Sequence, residues 1–452
     1  MILRRMMLAT ALTALTASLT FAAPAAIIYV PSPIFMDHMV LQREKAVPVW
    51  GVGSPVGGQV TVTFAGQVKT TSINPDGHWR VYLDPMPAGG PYRLEVRGAK
   101  TIAFNDVLVG EVWICSGQSN MARGGGPLGE RNDNPYVRTY RHTDWQDKPS
   151  EMAWWLGRYL YDALGVPIGL INRAVPGSNI RTWLPEDASL ELPPGMMEQL
   201  GPFVGENYRE LIKSLEPFAV RGVFWWQGES DSLNYRADIY GDQLEALIKS
   251  WRRRFERPDM TFIYVMLPTG RGSNAERDSR PLPVRPDAHP SADDVAMFEA
   301  YLRALTLPQT GMVVTKDLAS GIHPQRRDLF AERMVLWARH LAYGENITYA
   351  GPIFESVTRE GGTLRIRFRP GTADGLNAFP PYPLQGFTIS DDGENFVWAK
   401  TQIQGDEVVV WDESMPTPIE VRYAWAYYSR WANLSNREDM AAAPFQAFVP
   451  LP

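Results

Sequence analysis

Four short segments of this chain carry the residue types of acyl transfer. Ser119 lies in Ser116-Gly117-Gln118-Ser119-Asn120-Met121, and Gly177 in Asn172-Arg173-Ala174-Val175-Pro176-Gly177-Ser178. Gln227 opens Gln227-Gly228-Glu229-Ser230-Asp231, and His323 closes Asp317-Leu318-Ala319-Ser320-Gly321-Ile322-His323-Pro324. A serine hydroxyl is a poor nucleophile until a neighbouring base takes its proton. Histidine, neutral and basic near neutral pH, is such a base. The tetrahedral intermediate then carries an oxyanion, which backbone N–H groups and a side-chain amide stabilise. The Ser119 N–H, the Gly177 N–H and the Gln227 amide are the candidate donors, and glycine lets the backbone come close to a substrate. Singly, each residue has a plainer reading: Ser119 as a helix cap, Gly177 as a turn, Gln227 as a core amide, His323 as a surface or capping residue. Their arrival after successive strands favours a shared site. Gly117-Gln118-Ser119-Asn120-Met121 has only the first glycine of a GxSxG elbow, which disfavours a standard α/β-hydrolase.

Rival chemistries fit less well. Asp287-Ala288-His289-Pro290 offers a second histidine, but it precedes a helical pattern instead of following a strand. Glu229 and Asp231 are the carboxylates a glycosidase would need. Residues two apart on one strand point the same way and cannot flank a bond from opposite faces. Glu229 reads better as support for its loop, and Asp231 as a loop or helix-cap residue. The six histidines form no HExxH motif or cluster, so a metal hydrolase is disfavoured and no metal or cofactor is expected. A sugar-binding module that has lost catalysis is a different class, but such proteins usually lose the nucleophile or the base, and both remain here.

The elements that must position these residues show in the hydrophobic periodicity. Residues 26–106 alternate with period two (Val60, Val62, Phe64; Trp79, Val81, Leu83; Tyr92, Leu94, Val96), which predicts an N-terminal β domain after a leader at 1–25. Residues 107–345 alternate strand and helix. Strands are expected at Val107–Cys115, Pro167–Ala174, Val220–Trp226, Phe262–Leu267 and Met312–Lys316. Helices are expected at Met152–Leu164, Tyr208–Leu215, Ile239–Phe255, Val295–Leu305 and Leu329–Tyr343. That order implies a parallel sheet covered by helices on both faces, whose ligands bind outside the carboxyl ends of the strands. Residues 346–452 return to period two as a C-terminal β region. Arg271–Asp294, polar and Pro-rich, reads as a long loop beside the sheet.

Composition sets limits on function. The 452 residues suffice for two or three domains, and 45% hydrophobic with 21% charged residues is ordinary for a folded soluble protein. With 44 basic against 50 acidic residues the net charge is -6, which argues against nucleic acid as a partner. Fifteen Trp and 18 Tyr suit either sugar platforms or large aromatic cores. The single cysteine, Cys115, excludes an intrachain disulfide and a CxxC cluster, and its apolar neighbours predict burial. Met1-Ile2-Leu3-Arg4-Arg5, an apolar run to Phe21 and Ala22-Ala23-Pro24-Ala25-Ala26 form the pattern of a secretory signal peptide, with an uncleaved anchor as the alternative. No later stretch approaches the ~20 apolar residues of a membrane span, so a periplasmic or secreted protein is expected.

Val112-Trp113-Ile114-Cys115-Ser116-Gly117-Gln118-Ser119-Asn120-Met121 resembles the nucleophile motif of the sialate O-acetylesterase family, a group of SGNH-type carbohydrate esterases. The resemblance continues through Asn172–Trp183, Arg221–Ser230 and Ile322-His323-Pro324. It also takes in Met39–Gln42, Gly89–Tyr92, Arg422–Trp425, Asn433-Leu434 and Pro444-Phe445, so it covers almost the whole mature chain. It implies an α/β, SGNH-hydrolase-like three-layer domain with a parallel sheet, plus N- and C-terminal β-rich regions. It implies Ser119 as nucleophile, His323 as base, and Gly177 and Gln227 in the oxyanion hole. The implied partner is an acetylated carbohydrate: sialic acid, or a plant cell-wall polysaccharide such as xylan or xyloglucan. Trp183, and Trp225 or Trp226, are candidates for stacking on sugar, with core packing expected of at least one of the last two. Two departures stand out. Pro176 replaces the first glycine of the usual Gly-Gly-Thr. Gly321 stands where many members carry an aspartate two residues before the histidine, and Ser320 where an Asp-x-x-His motif needs its acid. Asp317 is then the candidate third member of a triad. Otherwise Ser119 and His323 form a dyad with a backbone carbonyl orienting the ring.

Overall fold

Apolar residues that recur every second position fold as strands, and here most of them join one sheet. The structure is a computed structural model and describes residues 26–30, 32–124, 134–233, 236–267, 282–283, 292–318, 321–426, 429 and 431–449. The expected leader at 1–25, Asp287–Pro290, Ser320 and most of the Arg271–Asp294 loop lie outside the described residues.

Among the described residues ten strands form the main sheet: β1 (Val40–Gln42), β2 (Gln59–Phe64), β3 (Gln67–Ser72), β4 (Gly89–Arg97), β5 (Thr101–Gly117), β6 (Val137–Tyr140), β7 (Ile168–Ala174), β8 (Gly222–Trp226), β9 (Thr261–Val265) and β10 (Thr310–Val313). The sheet turns on the 17-residue β5. Its first half pairs antiparallel with β4, which leads on to β2 and β3. Its second half pairs parallel with β7 on one side and β8 on the other. β6 flanks β7, while β9 and β10 extend the parallel part beyond β8. The expected parallel sheet is therefore the parallel half of a mixed sheet. The boundary expected at 106 falls inside β5, so the chain enters the parallel half without leaving the strand. One hydrophobic core accordingly runs from Val47 and Val60 through Trp113 to Trp337.

The parallel half has the order β6-β7-β5-β8-β9-β10, a doubly wound arrangement with β5 as its first strand. Strand order reverses between β5 and β8, and ligands of such sheets bind at that reversal, outside the carboxyl ends. The helices that connect the strands are α1 (Ser119–Ala122), α2 (Glu151–Leu164), α3 (Glu229–Leu233), α4 (Tyr240–Arg254), α5 (Ala292–Ala304) and α6 (Arg327–Tyr343). Neighbouring residues on a strand face opposite sides. Trp225 accordingly meets Trp251 of α4, and Trp226 stacks on Phe330 of α6. The helix expected at Tyr208–Leu215 is instead a π-turn followed by a 3-10 turn. The edge strand β6 lies beyond the strands read from periodicity. Cys115 is buried in β5, and burial pushes its thiol well above the ordinary value.

The C-terminal region forms two four-stranded antiparallel sheets and a two-stranded ribbon, closed over a core of Leu364, Ile366, Phe387, Ile389, Val408 and Phe445. It rests against the parallel half through Trp425 on Phe298 and Lys316 Nζ on the Ala424 carbonyl.

Candidate active site

The first parallel strand ends at Gly117, and its neighbour across the order reversal ends at Trp226. The two backbones touch: Gln118 N–H donates to the Trp226 carbonyl at 2.9 Å. A Cβ on Gly117 would lie 2.1 Å from that same oxygen, and its φ is +127°. Only glycine allows this approach, which explains the Gly-Gln-Ser order at the strand end. The chain then turns directly into α1, with Ser119 as its first residue.

Ser119 Oγ and His323 Nε2 stand 3.0 Å apart, although 204 residues separate them. This is the contact a hydroxyl makes with the base that takes its proton. Burial, then the nearby charges of Arg123 and Arg327, hold the His323 imidazole below its ordinary value, so it is neutral at neutral pH. Arg123 is exposed and follows Ser119 by one helical turn, its N–H donating to the Ser119 carbonyl. Arg327 is buried and pairs with Glu151 at 2.7 Å.

Asp317 is elsewhere. Its carboxylate is gripped by Arg333, Nη1 at 2.8 Å and Nη2 at 2.5 Å, and no hydrogen bond joins it to His323. Arg333 also binds the Val314 carbonyl at 2.8 Å, so the pair fastens α6 to the end of β10. Among the described residues the His323 Nδ1 has no carboxylate partner. The position where many relatives carry an aspartate, Gly321, has φ +95°, a left-handed conformation that L side chains rarely adopt. Among the described residues, Ser119 and His323 therefore meet with no carboxylate beside the imidazole. Asp317→Asn is expected to cost stability, not catalysis: a buried guanidinium left without its carboxylate loses about 3 kcal/mol. Thermal denaturation should record that loss, while kcat stays within about tenfold. A loss of several orders in kcat at unchanged KM would restore Asp317 to the machinery.

Gly177 is in the left-handed region at φ +73°. Among the described residues, neither its N–H nor that of Ser119 has a backbone acceptor. Gln227 is fully buried, and its amide NH2 faces three acceptors: Ser178 O at 2.9 Å, Asp231 Oδ2 at 2.5 Å and Gln118 Oε1 at 3.3 Å. It therefore braces the loop that carries Gly177. Asp231 helps, accepting from Ile180 N–H at 3.0 Å. Burial pushes the Asp231 carboxyl up to about 6 and that of Glu229 to about 7. Both stand on the short helix α3, not on a strand, and both are buried, so neither can flank a glycosidic bond.

Trp183, Trp225 and Trp226 are all buried and offer no face to a sugar. Trp183 supports the second loop from below, its Nε1 donating to Ser178 Oγ at 3.0 Å. Two residues beside Ser119 were given no role from the sequence. Gln118 accepts from Gln227, and Asn120 donates both to Glu229 Oε1 at 2.7 Å and to the Ile322 carbonyl at 2.9 Å. Their place beside Ser119 in the motif was the available signal.

Known proteins are similar to this chain. The family model for carbohydrate esterase, sialic acid-specific acetylesterase, matches residues 109–321. Sialate O-acetylesterase of Homo sapiens is 31% identical over 393 residues, which span 71% of this chain and 72% of the human protein. Its counterpart in Mus musculus is 27% identical over 516 aligned positions, spanning 91% of this chain and 93% of the mouse protein. The crystal structure of a carbohydrate acetylesterase from Xanthomonas citri, 28% identical, superposes with a TM-score of 0.77 and covers 93% of this chain and 99% of its own. Fold, site and these likenesses together define a carboxylic ester hydrolase. The chain belongs to the sialate O-acetylesterase family.

Proposed function

We propose that this protein is an exported serine esterase that removes O-acetyl groups from a carbohydrate through an acetyl-enzyme on Ser119. The observation that carries the reading is the 3.0 Å contact between Ser119 Oγ and His323 Nε2 at the order reversal of the sheet. Ser119 Oγ attacks the acetyl carbonyl carbon while His323 Nε2 takes the hydroxyl proton. The Ser119 and Gly177 N–H groups, both without a backbone acceptor among the described residues, take up the oxyanion. Gln227 completes the set by trading its longest contact, 3.3 Å to Gln118, for the oxyanion. The C–O bond to the sugar breaks as His323 protonates the departing alkoxide. Water, deprotonated by the same imidazole, then cleaves the acetyl-enzyme and releases acetate.

The relatives named for sialate O-acetylesterase and carbohydrate acetylesterase support an acetylated sugar as substrate. Sialic acids and acetylated xylan or xyloglucan are the two classes to separate. Acetate release from a panel of acetylated sialosides and hemicelluloses tests the reading. Release from none of them by the wild type, or equal release by Ser119→Ala, would sink it. The charged start and apolar run of residues 1–25 support export, which N-terminal sequencing of the mature protein checks.

The mechanism uses only side chains and backbone. EDTA should therefore leave the rate unchanged, while a phosphonate ester should add its phosphonyl mass to Ser119. Loss of activity on chelation, restored by zinc, would reverse this.

A further inference from the structure

Few hydrogen bonds hold the described residues beside His323. Among the described residues, Gly321, Ile322 and His323 take part in no backbone–backbone hydrogen bond. The Ile322 side chain is 51% exposed, so burial does not anchor it either. Among the described residues, one hydrogen bond ties Gly321–His323 to the body of the protein besides the contact with Ser119 itself: Asn120 Nδ2 to the Ile322 carbonyl, 2.9 Å. Asn120 is the residue after the nucleophile and is fully buried. The second hydrogen of the same amide goes to Glu229 Oε1 at 2.7 Å. Glu229 Oε1 is itself fixed by Trp226 Nε1 at 3.1 Å, at the end of β8.

The polarity of this chain decides its role. An amide can face its neighbours with either end, but both neighbours of Asn120 are acceptors. Glu229 makes the nitrogen end the only tolerable one, although Asn120 Oδ1 is then buried with no partner. The Glu229 Oε2 is likewise buried and unpartnered. A carboxyl group kept in so dry a place, near Asp231 on its own helix and Tyr240 and Tyr301 from α4 and α5, needs a reason beyond filling space.

We propose that Glu229 and Asn120 form a positioning pair, in which Glu229 orients the Asn120 amide and the amide clamps the Ile322 carbonyl, holding the His323 imidazole opposite Ser119. The pair touches no substrate. It replaces, from the backbone side of the histidine, the restraint that a carboxylate on Nδ1 supplies in a triad. This rests on the reading of Ser119 and His323 as nucleophile and base.

Four variants test it: Glu229→Gln, Glu229→Ala, Asn120→Ala and the double Glu229→Ala/Asn120→Ala. A misplacement of the base by about an ångström costs roughly 100-fold in rate. Glu229→Ala and Asn120→Ala should each lower kcat about 100-fold, with KM within about threefold. The double variant should be no worse than Asn120→Ala, because both changes break one chain. Glu229→Gln keeps a neutral acceptor of the same shape, so it should stay within about tenfold of wild type. It should also lose the inflection near pH 7 that ionisation of Glu229 places in the wild-type profile. The rate of phosphonate labelling at Ser119 is the deciding measurement, since it reads activation of the serine without any sugar. No labelling of the wild type would overturn the assignment of Ser119. A wild type that labels, beside an Asn120→Ala that labels as fast, would overturn the positioning pair alone. Multiplicative losses in the double variant would do the same, as would an unchanged pH profile in Glu229→Gln. Glu229→Gln, being isosteric, keeps the test decisive where Glu229→Ala does not fold.

Discussion

Ser119→Ala is expected to lower kcat for acetate release by roughly a million-fold, the scale of loss on removing a serine nucleophile. Binding and oxyanion donors survive the change, so a residual rate above that of water remains, as in other hydrolases stripped of their nucleophile. KM should hardly move, because the hydroxyl acts on the carbonyl only as the new bond forms. Stability should hardly move either. Ser119 is half-buried, and its Oγ makes one hydrogen bond, to a half-buried histidine on a surface loop. Removing that oxygen leaves no deeply buried polar group unpaired, so the change in unfolding free energy should stay near 0.5 kcal/mol, typical of a substitution without such a penalty. The measurement is acetate released per mole of pure enzyme on any acetylated substrate the wild type accepts, beside a thermal denaturation. Near-wild-type turnover in a correctly folded variant would remove Ser119 from the mechanism.

The candidate site was legible because its residues sit where strands end. Period-two and helical patterns placed Ser119, Gly177 and Gln227 after successive strands, and the structure has β5, β7 and β8 side by side in the parallel half of the sheet. The contact between Ser119 and His323 follows from that edge, since one sheet brings together segments 204 residues apart. Three features resisted the sequence for physical reasons. The boundary expected at 106 lies within a strand, because an apolar strand reads alike whether its neighbours run parallel or antiparallel. Asp317 looked available to His323 because it stands at the strand end, a short loop before the histidine, and no acid lies between them. Arg333, one of several charges on α6, takes it instead, and periodicity says nothing about which charge meets which. The tryptophans near the second loop suggested a sugar platform, but the same bulk fills the layer between β8 and α4. The link from Glu229 through Asn120 to Ile322 spans residues 109 and 202 apart, and a side-chain chain of that kind leaves no pattern along the sequence.

His323→Ala should be the second large effect, lowering kcat by about 10⁴-fold, or about 5 kcal/mol of transition-state stabilisation. Without the imidazole, the Ser119 proton has no acceptor within hydrogen-bond reach. The alcohol must then attack as a neutral group, and the departing alkoxide must leave unprotonated. Added imidazole should restore part of the rate, because the histidine is only half-buried and its loop is open to solvent. His289→Ala, outside the proposed machinery, should leave kcat within about tenfold and serves as the control for a histidine substitution. The pH profile carries the same argument in the wild type. The reactive form holds a neutral imidazole, and burial with the charges of Arg123 and Arg327 keeps His323 below its usual value of about 6.5. kcat/KM should therefore be insensitive to this group at neutral pH and above. It should fall tenfold per pH unit only once the pH drops below that lowered value. Glu229→Gln isolates this limb, since the carboxyl that titrates near 7 is then gone. An acid limb in that variant centred above 6.5 would mean that a carboxylate stabilises the imidazolium, and the dyad would give way to a triad.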